Sequence, residues 1–269
     1  MSVPQRRRAL LASLTAAALV FPVAVAPGTS NAAVFAAGHA PQAPVHLTVG
    51  DHAKPLNVEG TPMFGWRPRD VDPGEVQSAY QVVVRTAPPT GRAEVVWDSG
   101  KVSSSRQEYV PYAGPSLAHG ASYTWTVRTW DRTGKQSKWS RPASFDIGLR
   151  DQDWQASWIR RTTTEADDYT LARKDITVGA SPVVRARAYV TAGHQYALHL
   201  NGKVVDRGPA FAYPDDAFYR TVDVTDKLRA GEKATIGALY HWYGSGQGRP
   251  RGERGLLVRL VIDHADGSR

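Results

Sequence analysis

Short runs in which apolar and polar residues alternate fill the chain from Val45 to Leu149. In Ser122–Asp131, for example, aromatic residues and a valine alternate with threonines and Arg128. Alternation with a period of two places the apolar side chains on one face of a strand, which is typical of a half-buried β-sheet. About seven such strands in about 100 residues is the count of immunoglobulin-like and fibronectin type III domains. The pattern predicts a fibronectin type III-like sandwich over residues 44–149.

The aromatic residues of this first domain are predicted to pack in its core rather than to form a functional site. Three tryptophans lie at core spacing on the predicted strands: Trp66, Trp125 and Trp130. Tyr123 resembles the tyrosine of a tyrosine corner, whose hydroxyl bonds to the backbone a few residues upstream. Just after the domain, Trp154 and Trp158 are predicted to wedge it against the next one. We find no candidate site in this domain.

The second half of the chain is organised around a hairpin at Asn201-Gly202. The β-rich runs Gln195–Leu200 and Lys203–Asp206 meet there. Both central positions of a type I′ turn need a positive φ, which favours this dipeptide. The strictly alternating run Val183–Thr191 precedes the hairpin, and no long amphipathic helical pattern occurs. We predict an all-β protein whose second domain, residues 150–269, is a jelly-roll-like β-sandwich.

The last apolar run predicts a strand with no partner. Gly255–Asp263 is followed by a turn at His264–Gly267, and the sequence given stops at Arg269, where a return strand would begin. An unpaired apolar strand is an aggregation hazard in a finished protein. We therefore expect a sandwich truncated at its C-terminus, in the front part of a longer protein.

The N-terminus has the pattern of a secretory signal. Basic Arg6–Arg8 precedes apolar Ala9–Val25, and small residues follow at Ser30–Ala32. A membrane anchor is the alternative, but Pro22 and Pro27 make the run short for a span. We expect a secreted protein with no membrane segment. The predicted boundaries are residues 1–33 for the signal and 34–43 for a linker.

Composition narrows the possible partners. The chain has 269 residues, a formal charge of +8 and no cysteine, so no disulfide supports the fold. Its basic residues are scattered among acidic ones without a basic stripe, which argues against nucleic acid as a partner. Eight tryptophans and eleven tyrosines suit an all-β core, and they also suit surfaces on which sugars stack.

Two acidic pairs are candidate calcium ligands: Asp167-Asp168 and Asp215-Asp216. Ca²⁺ prefers six to eight hard oxygen ligands from flexible loops. If the two loops meet at one edge of the sandwich, they could hold an ion that binds the vicinal hydroxyls of a sugar. The alternative is two solvated acidic turns.

Six aromatic residues could supply a platform for a sugar ring: Phe211, Tyr213, Tyr219, Tyr240, Trp242 and Tyr243. Of these, the candidate sugar-binding residues are Phe211, Tyr213, Tyr219 and Trp242. A sugar platform needs a flat apolar face beside a few hydrogen-bonding groups. Strand alternation places Tyr240 and Trp242 on one side and His241 on the other. The alternative is that about half of these rings point into the core.

Familiar enzyme motifs are absent. The stretch Gly244–Gly248 is neither a dinucleotide-binding fingerprint nor a nucleophile elbow. The histidines lack zinc-like spacing and have no cysteine partner. Glycoside hydrolysis needs two carboxylates at a defined separation, and the sequence gives no means of choosing two. We predict no catalytic residue in this chain.

The chain carries a series of motifs in the same order as the N-terminal half of bacterial α-L-rhamnosidases of glycoside hydrolase family 78, which it therefore resembles. The motifs run from Pro44 to Arg269: Ala79–Val83, Val96–Gly100, Tyr123–Asp131, Trp154–Ile159, Arg173–Ile176, Leu200–Lys203, Asp223–Thr225, Gly231-Glu232, His241–Tyr243 and Asp266-Gly267. Three features depart from the family pattern. The family often has Asn-Ala after the Gly-Glu pair, where this chain has Lys233-Ala234, and His241 stands where a glycine is usual. The stretch Gly244–Arg254 is also unusually rich in glycine and arginine.

This resemblance implies a fibronectin-like domain followed by a β-sandwich similar to calcium-dependent L-rhamnose-binding modules. In the family an (α/α)6 barrel follows and hydrolyses terminal α-L-rhamnosides with inversion; that barrel is absent from this sequence. We therefore expect non-catalytic modules that recognise or position L-rhamnose-containing oligosaccharides or glycosides. The alternative is a structural or adhesive pair of β-domains that binds no sugar.

Overall fold

The computed structural model describes residues 38–163, 165–209, 217–244 and 254–269. Within these ranges the chain is built of strands, with short 3₁₀ turns at Asp151–Asp153 and Thr225–Lys227. The predicted all-β class is confirmed. The strands of the first domain are β1 (Gln42–Val49), β2 (Met63–Arg69), β3 (Ala79–Thr86), β4 (Val95–Asp98), β5 (Val102–Ser103), β6 (Val110–Pro111), β7 (Ser122–Trp130) and β8 (Ala143–Asp146).

The first domain packs two antiparallel sheets around an aromatic core. One sheet has the order β1-β2-β6, and the other has the order β4-β3-β7-β8, with β5 paired to β3. Trp125 and Phe64 are buried between them, with ring centroids 4.6 Å apart. The Tyr123 hydroxyl accepts a hydrogen bond of 2.8 Å from the backbone N–H of Ala118, which confirms the predicted tyrosine corner.

The second domain is a sandwich of a four-stranded and a three-stranded sheet in the described residues. The orders are β12-β11-β14-β9 and β13-β10-β15. Val190 of β10, Leu198 of β11 and Tyr240 of β14 are buried between the sheets. The strands are β9 (Asp168–Thr177), β10 (Val183–Ala192), β11 (Gln195–Leu200), β12 (Lys203–Gly208), β13 (Arg220–Asp223), β14 (Lys233–Trp242) and β15 (Leu256–His264).

The hairpin that joins β11 to β12 is formed by the predicted turn. Asn201 has φ of 51° and Gly202 has φ of 78°, as a type I′ turn requires. The Asn201 side chain also contacts the strand beside the turn, because its Oδ1 accepts a 2.9 Å hydrogen bond from the N–H of Thr235. The hairpin therefore fixes the register of the four-stranded sheet.

The expectation that the last strand is unpaired is wrong for one of its edges. β15 pairs antiparallel with β10 along nearly its whole length, from Leu256 opposite Ala192 to His264 opposite Val183. The sequence pattern did not reveal this partner because β10 lies more than sixty residues earlier in the chain.

Two arginines of β10 connect the second domain to the first. The Arg187 guanidinium lies 2.7 Å from the Asp146 carboxylate at the end of β8 and 2.9 Å from that of Asp223. Arg185 lies 2.8 Å from Asp263 and donates a 2.5 Å hydrogen bond to the Ser122 hydroxyl. Both arginine side chains are only 13% exposed, so these contacts are largely shielded from water.

An aromatic cluster lies beside these arginines at the domain boundary. Trp154 is buried against Tyr189 and Tyr219, which confirms its predicted wedge role, whereas Trp158 is 48% exposed. The Tyr219 hydroxyl accepts a 2.6 Å hydrogen bond from the N–H of Leu149. Burial raises the pKa of Tyr219 to about 12. The boundary is therefore a packed interface.

The Asp263 carboxylate is expected to make stability depend on pH. Burial alone would raise its pKa, but hydrogen bonds from Arg269 and Arg185 hold the pKa below its usual value. A depressed carboxyl pKa stabilises the fold above the unfolded-state value of about 3.9, and this stabilisation is lost as the pH falls through the folded-state pKa. Asp263→Asn should lower the free energy of unfolding by about 1–3 kcal/mol at neutral pH.

Urea unfolding between about pH 2 and pH 7 measures this effect. At low pH the Asp263 carboxylate is protonated and neutral, so the wild type then resembles the Asp263→Asn variant. The difference in unfolding free energy should shrink as the pH is lowered. The matched control is Asp151→Asn, which alters an exposed carboxylate. A wild-type advantage over Asp263→Asn that stays constant down to the acid limit would contradict this account.

Candidate functional site

Side chains from three neighbouring strands form a row on the outer face of the four-stranded sheet. Gln195 of β11 lies opposite His241 of β14, and His241 lies opposite Tyr169 of β9. Directly opposite residues in a sheet project from the same face. The neighbouring residue Tyr240 is 1% exposed and points into the core, as strand alternation predicts.

The rings in this row stack on one another. The centroids of Tyr169 and His241 are 3.8 Å apart and their planes differ by 9°. Tyr243 contacts the same imidazole edge-on, with a centroid distance of 4.1 Å and an interplanar angle of 62°. The His241 side chain is only 11% exposed, whereas Tyr169 is 56% exposed. The tyrosine presents a supported aromatic ring to the solvent.

Polar groups border this ring. The Asp167 carboxylate lies 2.6 Å from His241 Nε2, and its side chain is 72% exposed. The Tyr243 hydroxyl donates a 2.7 Å hydrogen bond to Gln195 Oε1. These contacts hold the histidine and the second tyrosine in place, and they leave a carboxylate and an amide at the edge of the aromatic surface. We call the set Asp167, Tyr169, Gln195, His241 and Tyr243 the outer aromatic face.

The next row of the same sheet extends the surface with aliphatic side chains. Ala197 lies opposite Leu239, and Leu239 lies opposite Leu171. Leu171 is 82% exposed, which is unusual for a leucine within a strand. This row is apolar, and it adjoins the polar groups of the outer aromatic face.

The predicted acidic pair Asp167-Asp168 does not converge on one point. Asp167 precedes β9 with φ of 58° and is exposed, whereas Asp168, the first residue of β9, is buried. The Asp168 carboxylate accepts a 3.1 Å hydrogen bond from the Thr170 hydroxyl. Guanidinium nitrogens of Arg161 and Arg254 lie 3.5 Å and 3.7 Å from it.

These two arginines already supply positive charge to Asp168, so the carboxylate does not fit a calcium ligand. In the part of the chain that the structure describes, no group of three or more His, Cys, Asp or Glu side chains is placed to hold a metal ion. The second predicted pair, Asp215 and Asp216, lies outside the described residues. Calcium binding stays a prediction that depends on that pair.

The predicted sugar-binding aromatics fall into separate places. Phe211 and Tyr213 lie outside the described residues, and Tyr219 belongs to the domain boundary. The Arg254 guanidinium lies over the Trp242 ring, 4.4 Å from its centroid. The structure thus does not bring Tyr219 and Trp242 onto one surface, and Trp242 packs at the end of the sandwich.

Comparison with known proteins places this architecture in a family. Residues 44–151 match the N-terminal immunoglobulin domain of Rha78A-like proteins. An α-L-rhamnosidase of Formosa agariphila is 32% identical over 253 residues, which cover 83% of this chain and 27% of that protein. The chain is an N-terminal region of the α-L-rhamnosidase family.

Solved structures agree with this placement. The α-L-rhamnosidase from Dictyoglumus thermophilum superposes with a TM-score of 0.69 at 26% identity, over 86% of this chain and 28% of that one. The enzyme from Aspergillus terreus gives a TM-score of 0.67 at 28% identity, over 84% and 28% of the two chains. This chain therefore spans little more than a quarter of the length of these relatives. Its described residues include no helix long and apolar enough to cross a membrane.

Proposed function

We propose that this chain forms the non-catalytic N-terminal modules of a secreted α-L-rhamnosidase and that it recognises or positions L-rhamnose-containing glycans. The observation that carries the proposal is the outer aromatic face, in which the exposed ring of Tyr169 is supported from behind by His241. The parent reaction would be hydrolysis of terminal α-L-rhamnosides by a part of the longer protein outside this chain.

The chemistry of the sugar suits this surface. L-Rhamnose is a 6-deoxyhexose, so one part of it is apolar C–H and methyl surface and the rest carries hydroxyl groups. An aromatic ring can contact the apolar part while nearby polar groups orient the hydroxyls. Tyr169 would supply the ring, and the Asp167 carboxylate and the Gln195 amide would supply the hydrogen-bonding groups.

Calcium enters the proposal only through Asp215 and Asp216. Together with the exposed Asp167 carboxylate of the outer aromatic face, they would supply oxygen ligands of the kind that Ca²⁺ prefers. Asp168 would take no part, because it is buried with two arginines. Export is proposed from the basic and apolar pattern of residues 6–25.

A scaffold without sugar binding is the competing function. Tyr169 and Leu171 expose aromatic and aliphatic surface together, and such patches also mark protein contacts. In that case the outer aromatic face would support another part of the longer rhamnosidase. The two functions differ in one property, which is affinity of this chain for a free sugar.

Calorimetric titration with methyl α-L-rhamnoside, with and without calcium, separates these functions. We expect saturable binding with a dissociation constant on the order of 0.1–1 mM, equivalent to roughly 4–5.5 kcal/mol. Methyl α-D-mannoside is the matched control and should bind more weakly. Absence of heat beyond dilution in both calcium conditions would favour the scaffold. An aryl α-L-rhamnoside should remain intact, and its turnover would contradict the non-catalytic part of the proposal.

A further inference from the structure

Charged and aromatic side chains meet on the outer face of the larger sheet of the first domain. Successive side chains of a strand point to opposite faces, and Trp125 and Val127 of β7 are buried between the two sheets. Arg128 and Trp130 of the same strand therefore project from the outer face. Gln81 of β3 lies directly opposite Arg128 and shares this face.

The cations and indole rings of this face follow one another in an alternating row. The Arg128 guanidinium lies 4.7 Å from the centroid of the Trp139 ring and 5.1 Å from that of Trp130. The Lys101 ammonium lies 4.8 Å from the Trp130 centroid. All three distances are within the range of a cation–π interaction. We call Lys101, Trp130, Arg128 and Trp139 the cation–indole ladder.

The backbone next to β7 holds Trp139 in this row. The Ser137 hydroxyl accepts a 3.0 Å hydrogen bond from the N–H of Thr129, and the Ser137 N–H donates to the Thr129 carbonyl at 2.8 Å. Ser140 makes the same pair of contacts with Val127, at 3.0 Å and 2.8 Å. Trp139 lies between these two anchored serines, so its position beside Arg128 is fixed before any ligand binds.

A side-chain hydrogen bond also orients the Arg128 guanidinium. Its Nε donates a 2.9 Å hydrogen bond to Gln81 Oε1, and Gln81 Nε2 donates at 2.7 Å to the Asp98 carboxylate. Gln81, rather than the carboxylate, therefore contacts the guanidinium. The two Nη groups of Arg128 have no hydrogen-bond partner among the described residues, so they are available to a ligand.

The positive charge of the ladder lacks a carboxylate partner. Lys101 and Arg128 contact the same indole, and neither forms an ion pair within the part of the chain that the structure describes. The exposed residues Lys138 and Arg141 lie beside Trp139 in the sequence and add to this charge. Like charges held close together repel one another, so binding of an anion would be favourable here.

The ladder is clear of the boundary between the domains. At the other end of β7 the Ser122 hydroxyl accepts a hydrogen bond from Arg185 of the second domain. Arg128 lies six residues further along this strand, which corresponds to about 20 Å. Trp139 is 37% exposed, so part of its ring is open to a ligand.

We propose that the cation–indole ladder binds the acidic groups of an anionic polysaccharide, either carboxylates or sulfate esters. The Arg128 guanidinium donates hydrogen bonds in a planar fork that matches two oxygens of such a group, and the Lys101 ammonium adds a second charge. A sugar ring also presents an apolar C–H face that stacks on an indole, and the exposed Trp139 ring provides that surface. This combination favours an acidic glycan over an acidic peptide.

The proposed site uses no residue of the outer aromatic face. It adds a class of glycan that neutral rhamnosides do not represent, and it stands or falls separately from rhamnoside binding by the second domain.

Affinity electrophoresis of the full chain tests this proposal in gels that contain polygalacturonate, dextran sulfate, neutral dextran or poly-L-glutamate. At low ionic strength we expect retardation by at least one of the two acidic polysaccharides, which identifies the acidic group, and none by neutral dextran. Lys101→Ala and Arg128→Ala should each weaken this binding by at least about fivefold. The matched control is Arg67→Ala, which removes the same charge from an exposed position of β2 in the other sheet and should stay within about twofold.

Trp139→Ala tests the stacking surface and should weaken polysaccharide binding by at least about threefold. Lys101 and Trp139 are exposed, so their variants decide the outcome if Arg128→Ala does not fold. No retardation by either acidic polysaccharide would overturn the proposal. So would an equal loss of affinity in Arg67→Ala and Lys101→Ala, or retardation by poly-L-glutamate as strong as that by the glycans.

Discussion

Replacing Arg187 with alanine is expected to lower the free energy of unfolding by about 3–5 kcal/mol, the usual result when one partner of a buried ion pair is removed. Its guanidinium contacts Asp146 of the first domain and Asp223 of the second. Burial alone would lower the pKa of Arg187, but these two carboxylates raise it above its ordinary value. Alanine would leave the Asp146 carboxylate buried without its guanidinium.

The same substitution should uncouple the two domains. Arg187 supplies the charged contact between the domains, to Asp146, and the substitution removes it. The Arg185–Ser122 contact, the Leu149–Tyr219 hydrogen bond and the Trp154 cluster remain. Urea unfolding followed by tryptophan fluorescence and by far-ultraviolet circular dichroism should then give two separated transitions instead of coincident ones. A shift below about 1 kcal/mol with coincident transitions would contradict this role.

Two further variants test whether the buried ion pair accounts for the expected loss of stability. Arg173→Ala removes a surface pair in which the arginine is 70% exposed and Asp175 is 55% exposed, and it should change stability by less than about 1 kcal/mol. The double variant Arg187→Ala with Asp146→Ala should cost less than the sum of the two single changes, because neither charge is left buried alone.

Replacing Tyr169 with alanine should weaken rhamnoside binding by at least tenfold, or about 1.4 kcal/mol, because the exposed ring of the outer aromatic face is lost. Stability should change by no more than about 0.5 kcal/mol, since the side chain is 56% exposed. Calorimetric titration of methyl α-L-rhamnoside measures the affinity, and urea unfolding checks the fold.

Two matched variants separate the ring from its surroundings. Tyr169→Phe keeps the stacking surface over His241 and should bind within about threefold of the wild type, equivalent to roughly 0.65 kcal/mol. Leu171→Ala removes an exposed side chain from the adjoining row and should also leave binding nearly unchanged. Wild-type affinity in Tyr169→Ala would place the sugar site elsewhere on the chain.

Local signals in the sequence predicted most of the fold. The alternation of Ser122–Asp131 is that of β7, and Asn201-Gly202 forms the hairpin turn. Tyr123 forms the expected corner with Ala118. Each of these features depends on residues close together in the chain, so period and turn chemistry are sufficient to find them.

The outer aromatic face could not be found in this way, because it depends on register between distant strands. Tyr169 and His241 are brought together only by the pairing of β9 with β14, across more than seventy residues. The Arg254 guanidinium over Trp242 is a contact of the same kind.

The most direct test of the account is a map of amide chemical shifts in the labelled chain during titration with methyl α-L-rhamnoside. We predict that the perturbed amides cluster at Asp167, Tyr169, Gln195, His241 and Tyr243 on the outer aromatic face. Saturating shifts at these positions, with the first domain unaffected, would support sugar recognition by this module. No saturable shift, or shifts confined to the Trp242 and Asp168 end of the sandwich, would contradict it.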